Sequence, residues 1–160
     1  MAMTITNTIA ITIAMAIAIT IAIAMAIAIT NTITIAITMI KKSRNFREYR
    51  IWKEAVAFAT KVYSVTNEMP WFEKKGLCDQ LQRAAVSISS NIAEGCARPS
   101  DNDFAHFLDV ALGSCYEVET QLIIAKNVGY IQETLYNELL DNLQNIEKQM
   151  AGLIGKVRQQ

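Results

Sequence analysis

Charge is missing from the first forty residues: all fifteen Lys and Arg and all fifteen Asp and Glu of the 160-residue chain follow Ile40. The sequence therefore divides into two compositions, an uncharged extension over 1–40 and a 41–160 segment with the frequent charge and regular apolar spacing of a soluble globular domain. Cysteine is scarce, and Cys78, Cys96 and Cys115 form no Cys-x-x-Cys pair. An odd, scattered set of this kind excludes a disulfide framework and a zinc site, and reads as small buried hydrophobes in a reducing cytoplasm. Net charge is zero, which excludes a global electrostatic attraction to nucleic acid or membrane and leaves only local patches.

Histidine is limited to His106, and this removes most catalytic options. A Glu-x-x-His ligand set fails because position 103 is Asp. No serine or cysteine sits in a strand-turn-helix elbow, and no glycine-rich loop is placed to cradle a phosphate. Glu117 and Glu119 stand two apart, about 200° around a helix, so they cannot share one ion within a chain. The expectation is a non-enzymatic protein without cofactor or metal.

What the extension does contain is alternation. From Met3 to Met39 odd positions are almost all Ile or Met and even ones Ala or Thr, broken at Asn7 and Asn31. Period two with β-branched residues is a strand pattern, yet nothing turns the chain for some thirty-five residues, and one strand of that length is far beyond the usual range. A second reading is a membrane-spanning helix over residues 4–40, with Lys41, Lys42 and Arg44 on the cytoplasmic side. A third is a translated short DNA repeat, in which case Met39 is the functional start. A secretory signal fits less well, having no positive n-region.

After Ile40 four helices are expected. Ile51, Trp52, Ala55, Phe58, Ala59, Val62 and Tyr63 recur at three and four along a helix from about Arg47 to Asn67, stopped at Met69-Pro70-Trp71, whose two bulky residues would cover the end of the core. Leu77, Leu81, Ala84, Ala85, Ile88, Ile92 and Gly95 mark a second, ending before Arg98-Pro99. Ser100 with Asp103 three residues on is an N-cap signal ahead of Phe104, Phe107, Leu108, Ala111, Leu112, Cys115, Val118 and Leu122, and Gly129 supplies a left-handed stop, with Tyr130 and Ile131 folding back. Leu135, Leu139, Leu143, Ile146, Met150, Leu153 and Val157 form the last stripe, with Thr134 as N-cap. Short connections favour antiparallel neighbours, so the fold class is all-α, an up-down-up-down antiparallel four-helix bundle carrying an anomalous Ile/Thr/Ala-rich N-terminal extension.

The run from Leu81 to Gly95, LQRAAVSISSNIAEG, resembles the signature of the four-helix-bundle proteins encoded in 23S rRNA intervening sequences. Phe104 to Ser114, Glu117 to Leu122, and Phe46 to Ala55 with its Trp52 extend the resemblance, in order, over about Phe46 to Ile131. It implies a short cytoplasmic bacterial protein without enzymatic activity that forms a ring-shaped homopentamer. A related branch comprises accessory proteins of diversity-generating retroelements, which bind a reverse transcriptase and nucleic acid through basic outer surfaces. Family members commonly begin a few residues before the position of Phe46, which agrees with Met39 as start. Two departures stand out: Ser89 occupies a position that is usually proline, leaving the second helix straighter, and Pro99 follows Arg98, re-aiming any surface there.

Two residue groups carry the functional expectations. Arg83, Asn91, Glu94, Gly95, Arg98, Glu117 and Glu119 belong to the resembling stretches, and their polar members are expected to form a buried or interfacial network, with Arg83 paired to Glu117 or Glu94. Lys41, Lys42, Arg44, Arg47, Arg50 and Lys53 form a basic cluster opposed before residue 55 only by Glu48 and Glu54. On the first helix it would make a drifting stripe, either a solvated face or a phosphate-backbone contact multiplied by avidity in an oligomer. The expected partner is a second copy of the chain, then RNA or a reverse transcriptase, with a membrane-tethered bundle as the alternative.

Overall fold

The computed structural model describes residues 2–41 and 44–159, and places them in two compact units, 1–42 and 43–160. The first is a single helix, α1 (Ala2–Lys41). Helix rather than strand follows from backbone satisfaction: a lone strand leaves its N–H and C=O groups unpaired, whereas a helix pairs them within itself. The hydroxyls follow suit, Thr12, Thr20 and Thr30 donating to the carbonyls of Thr8, Ala16 and Ala26 at 2.8–2.9 Å. Because period-two alternation spreads Ile over every side of a helix, α1 has no polar face.

The second unit is all-helical, with no strand among the described residues. It comprises α2 (Arg50–Glu68), α3 (Leu77–Cys96), α4 (Asp101–Asn127) and α5 (Glu133–Arg158), with single 3-10 turns at Phe46–Glu48 and Trp71–Glu73. Contacts between neighbours run in opposite sequence directions. Thr66 and Met69 of the α2 end meet Gln82 and Cys78 of α3, Ser87 of α3 meets Ser114 of α4, Lys126 of α4 meets Glu133 of α5, and Glu54 of α2 meets Asn145 and Gln149 of α5. The apolar stripes converge on one core in which Phe104, Leu81, Ile88, Leu108, Leu139 and Met150 are wholly buried.

The ends of α4 follow the sequence signals. The Ser100 hydroxyl accepts from the Asp103 N–H at 3.0 Å, and Gly129 adopts φ +79°, with its N–H on the Lys126 carbonyl and that of Tyr130 on Ala125. Other boundaries move. α2 begins at Arg50, not Arg47, because Asn45 caps a separate 3-10 turn, accepting from the Arg47 N–H and donating to Glu48. α5 begins at Glu133, not after Thr134: the Gln132 carbonyl accepts from the Tyr136 N–H at 2.9 Å, and Glu133 sits favourably at the positive end of the helix dipole. Met69 closes the core, but Trp71 does not; it is 82% exposed.

Gly95 shows why the α3–α4 contact is the most extensive in the bundle. A Cβ there would lie 2.8 Å from Phe107 Cβ and 3.0 Å from Phe104 Cδ2, so only glycine admits both rings.

Candidate assembly surface

The charged members of the motif do not form a buried network within the chain, although Asn91 does satisfy a backbone group, donating to the Ser87 carbonyl at 2.8 Å. Arg83 lies on the outside of α3, 3.4 Å from Asp79 one turn away, and reaches neither Glu117 nor Glu94. Glu94 pairs with Arg98, both partly exposed, and Glu117 is exposed with no ion pair among the described residues. Helix geometry explains the difference. Arg83, Ser90 and Glu94 stand on the arc of α3 opposite Ala85, Ile88 and Ile92, which the core claims.

What the structure brings together instead is an outer face along the α3–α4 seam. Ser87 and Ser114 hydroxyls meet at 2.9 Å, and Asn91 donates to both the Ser87 carbonyl and its hydroxyl. Because the helices are antiparallel, Arg83 and Glu117, four residues before Ser87 and three after Ser114, flank this seam at the same level. Val110 (41% exposed) and Gly113 continue the face on α4, and nothing lies within 4 Å of a Cβ added at Gly113. The surface carries small residues along the seam, an exposed valine and side chains of both charges. Exposed pairs such as Arg83–Asp79 contribute at most about 1 kcal/mol within the chain, so their placement on this face is not a requirement of the fold. Glu119 is half-buried at the α4–α5 side and raises the pKa of Glu147, second in effect to desolvation by burial.

The basic cluster is not one stripe. Lys42 and the side chain of Lys41 lie outside the described residues. Arg44 precedes the helix and acts as a clamp: it pairs with Asp101, donates to the Arg98 carbonyl at 3.1 Å, and stacks 4.5 Å from the centre of the Phe104 ring. Arg47 folds over Phe46 at 4.4 Å, and Arg50 binds Glu54 at 2.6 Å. Arg98 likewise stacks over Phe107 at 4.5 Å. Among the described members of the cluster, Arg47, Arg50 and Lys53 have exposed side chains.

Several polar residues escaped the sequence reading. Thr66 is buried, donating to the Tyr63 carbonyl and accepting from Gln82 at 2.6 Å, and Gln121 is buried with its carbonyl oxygen unpartnered among the described atoms. Their positions on apolar stripes were the available signal. A groove of about 270 Å³ between α2 and α5, lined by Glu54, Ala57, Phe58, Lys61, Asn142 and Asn145, has its charges already engaged. Lys61 pairs with Glu138. Glu54 is opposed by burial, but hydrogen bonds from Arg50 and Gln149 outweigh it and hold the carboxyl below its ordinary pKa. Desolvation raises all three thiols, Cys96 to about 11 and Cys115 to about 12, so none is poised as a nucleophile.

Fold and surface together define a small all-helical bundle protein. The family model for the 23S rRNA-intervening sequence protein matches residues 47–152, well over half of the chain, and the protein belongs to that family. Among solved structures it is similar to a protein of unknown function from the S23 ribosomal protein family of Bacteroides thetaiotaomicron. The TM-score is 0.61 at 24% identity over 65% of this chain and 97% of that one, a likeness in fold alone. No curated protein matches the chain.

Proposed function

We propose that this protein is a non-enzymatic, self-assembling scaffold whose copies meet through the outer α3–α4 face. The observation that carries the reading is that the motif's polar residues Arg83, Glu94 and Glu117 point outward, flanking the Ser87–Ser114 seam, instead of pairing in the core. A heterologous contact of this face with another part of the next copy closes into a ring, the homopentamer that the family resemblance implies. RNA or a nucleic-acid enzyme is the cargo, held through phosphate-directed or acidic contacts to Arg47, Arg50 and Lys53, each weak alone and multiplied around the ring.

Gly113→Arg tests the assembly. The monomer has room for the side chain, so helicity is unchanged, whereas a packed face is blocked. Sedimentation equilibrium of the full chain in mild detergent is expected to give an oligomer for the wild type and a monomer for Gly113→Arg. A monomeric wild type, or a variant of unchanged mass, refutes the reading. For the cargo, RNA binding at low salt is expected to vanish when Arg47 and Lys53 become Glu.

One observation favours a second reading, a bundle tethered to a membrane. The segment Ile5–Ile37 of α1 is 33 residues long with mean hydropathy 2.6 and nothing buried, long and apolar enough to cross a bilayer of about 30 Å. Recovery of the full chain in carbonate-washed membranes supports the tether, and a wholly soluble full-length chain refutes it.

A further inference from the structure

Bilayer thickness alone does not fix which part of α1 is embedded, because the apolar segment is longer than the hydrocarbon is deep. Ile5–Ile37 has 33 residues. At the helical rise it measures about 50 Å against about 30 Å of hydrocarbon, and a span needs only about twenty residues. The alternation of Ile with Ala or Thr does not break the tie, since it repeats unchanged along the axis and puts isoleucine on every side of the helix.

Polar side chains do break it. The sequence Thr-Asn-Thr occurs twice, at 6–8 and at 30–32, and between the two triplets the only polar side chains are Thr12 and Thr20. Both of those are satisfied within the helix, donating to the Thr8 and Ala16 carbonyls at 2.9 Å, so they enter an apolar medium with their hydroxyls paired. Asn7 and Asn31 differ. Each amide brings two N–H donors and a carbonyl acceptor, and neither is hydrogen-bonded to another described residue. Carrying such a group into hydrocarbon is costly. Within Ile5–Ile37, a window of about twenty residues that holds neither amide must lie inside 8–30. The stretch 9–29 between the triplets has 21 residues and measures about 31 Å, the depth of the hydrocarbon.

We infer that residues 9–29 are the hydrocarbon-embedded part of α1 and that the triplets 6–8 and 30–32 are its two boundary anchors, with the Asn7 and Asn31 amides bonded to headgroup oxygens and water. This rests on the tether reading and adds the register to it. Residues 33–37, although apolar, then lie in the headgroup layer, on the side where Lys41 and Lys42 follow in the chain.

The test uses the full chain reconstituted into phosphatidylcholine vesicles and carrying one new cysteine, Ile5→Cys, Ala18→Cys or Ile35→Cys. The native thiols are buried in the folded bundle and stay silent, and near-UV circular dichroism checks that each variant is folded. N-ethylmaleimide crosses bilayers but modifies thiols where water lets the thiolate form. Ile5→Cys and Ile35→Cys are therefore expected to react roughly tenfold faster than Ala18→Cys or more, and all three equally in detergent. Adding Asn31→Leu to Ile35→Cys removes the anchor, and its rate is expected to fall several-fold as the span draws that residue in. A chain that fails to float with the vesicles, with all three cysteines equally fast, overturns the tether and the register together. A chain that floats but in which Ile5→Cys or Ile35→Cys is as slow as Ala18→Cys overturns the register alone: an asparagine then lies inside the hydrocarbon, paired with a second copy.

Discussion

Replacing Gly95 by Ala sets two effects of known sign against each other. Gly95 lies in the last turn of α3, one residue before its end, where alanine raises helix propensity by at most about 1 kcal/mol, the value for a helix interior. Against that, the new methyl carbon would stand 2.8 Å from Phe107 Cβ and 3.0 Å from Phe104 Cδ2. The Phe107 atom is the root of its side chain, fixed to the backbone of α4, so no rotamer change relieves the contact and the helices must part. Overpacking of this kind costs about 1–3 kcal/mol, and the separation also loosens the rings around the wholly buried Phe104, so the net effect is a destabilisation of about 1–2 kcal/mol. In a domain of this size that lowers Tm by roughly 5 °C. Near-UV circular dichroism is the appropriate assay, because every aromatic residue lies from Phe46 onward and α1 contributes nothing to the signal. Gly152→Ala is the control: nothing lies within 4 Å of its added Cβ, so it is expected to stabilise by about 0.5–1 kcal/mol. A Gly95→Ala protein as stable as the wild type would refute the close α3–α4 approach.

Other consequences follow from the same contacts. Burial, and then the charge of Glu119, raise the pKa of Glu147, one of whose oxygens is buried without a partner. Its folded-state pKa exceeds the unfolded one, so the stabilisation it gives is full below the unfolded value and is lost as pH rises through the folded one. Denaturation midpoints of the wild type should therefore fall relative to those of Glu147→Gln as pH rises above the unfolded carboxyl value of about 4.3; an unchanged difference across pH contradicts this. Arg44→Ala removes the Asp101 pair, the Arg98 carbonyl bond and the Phe104 stack, and is expected to cost about 2 kcal/mol by urea denaturation, against less than about 0.5 for Arg47→Ala. With Cys96 at about 11 and Cys115 at about 12, both buried, mass spectrometry should show them unalkylated by iodoacetamide near neutral pH until urea is added.

The helices of the bundle were legible because each buries one stripe, and a stripe is a local property: Leu81, Ile88 and Ile92, or Leu139, Leu143 and Ile146, repeat at helical spacing and are buried where that spacing puts them. The Ser100 cap and the Gly129 stop were legible for the same reason, since a cap reads three residues and a left-handed glycine reads one. Pairings over distance were not. Arg44 and Asp101 are 57 residues apart, and nothing in the basic run around Arg44 distinguishes the arginine that clamps α4 from the arginines that face solvent. Arg83 misled because a polar residue in a motif-dense helix looks internal, while its position on α3 is opposite the core. Trp71 misled in the same way: size predicts burial, but the Glu73 carboxylate, accepting from the Leu77 N–H and the Tyr130 hydroxyl, fixes the turn with the indole outside. In α1 the alternation suggests a strand, yet without a partner strand the backbone bonds decide for helix.

Cross-linking at the seam tests the scaffold reading most directly. The native thiols are buried, so a cysteine introduced at Glu117, on the α3–α4 face, or at Lys148, on the exposed side of α5, supplies the reactive group. A short bifunctional cross-linker pairing that thiol with amines of the next copy is expected to give a ladder of covalent oligomers for Glu117→Cys and monomer for Lys148→Cys. Monomer from both, or equal ladders from both, would contradict assembly through this face.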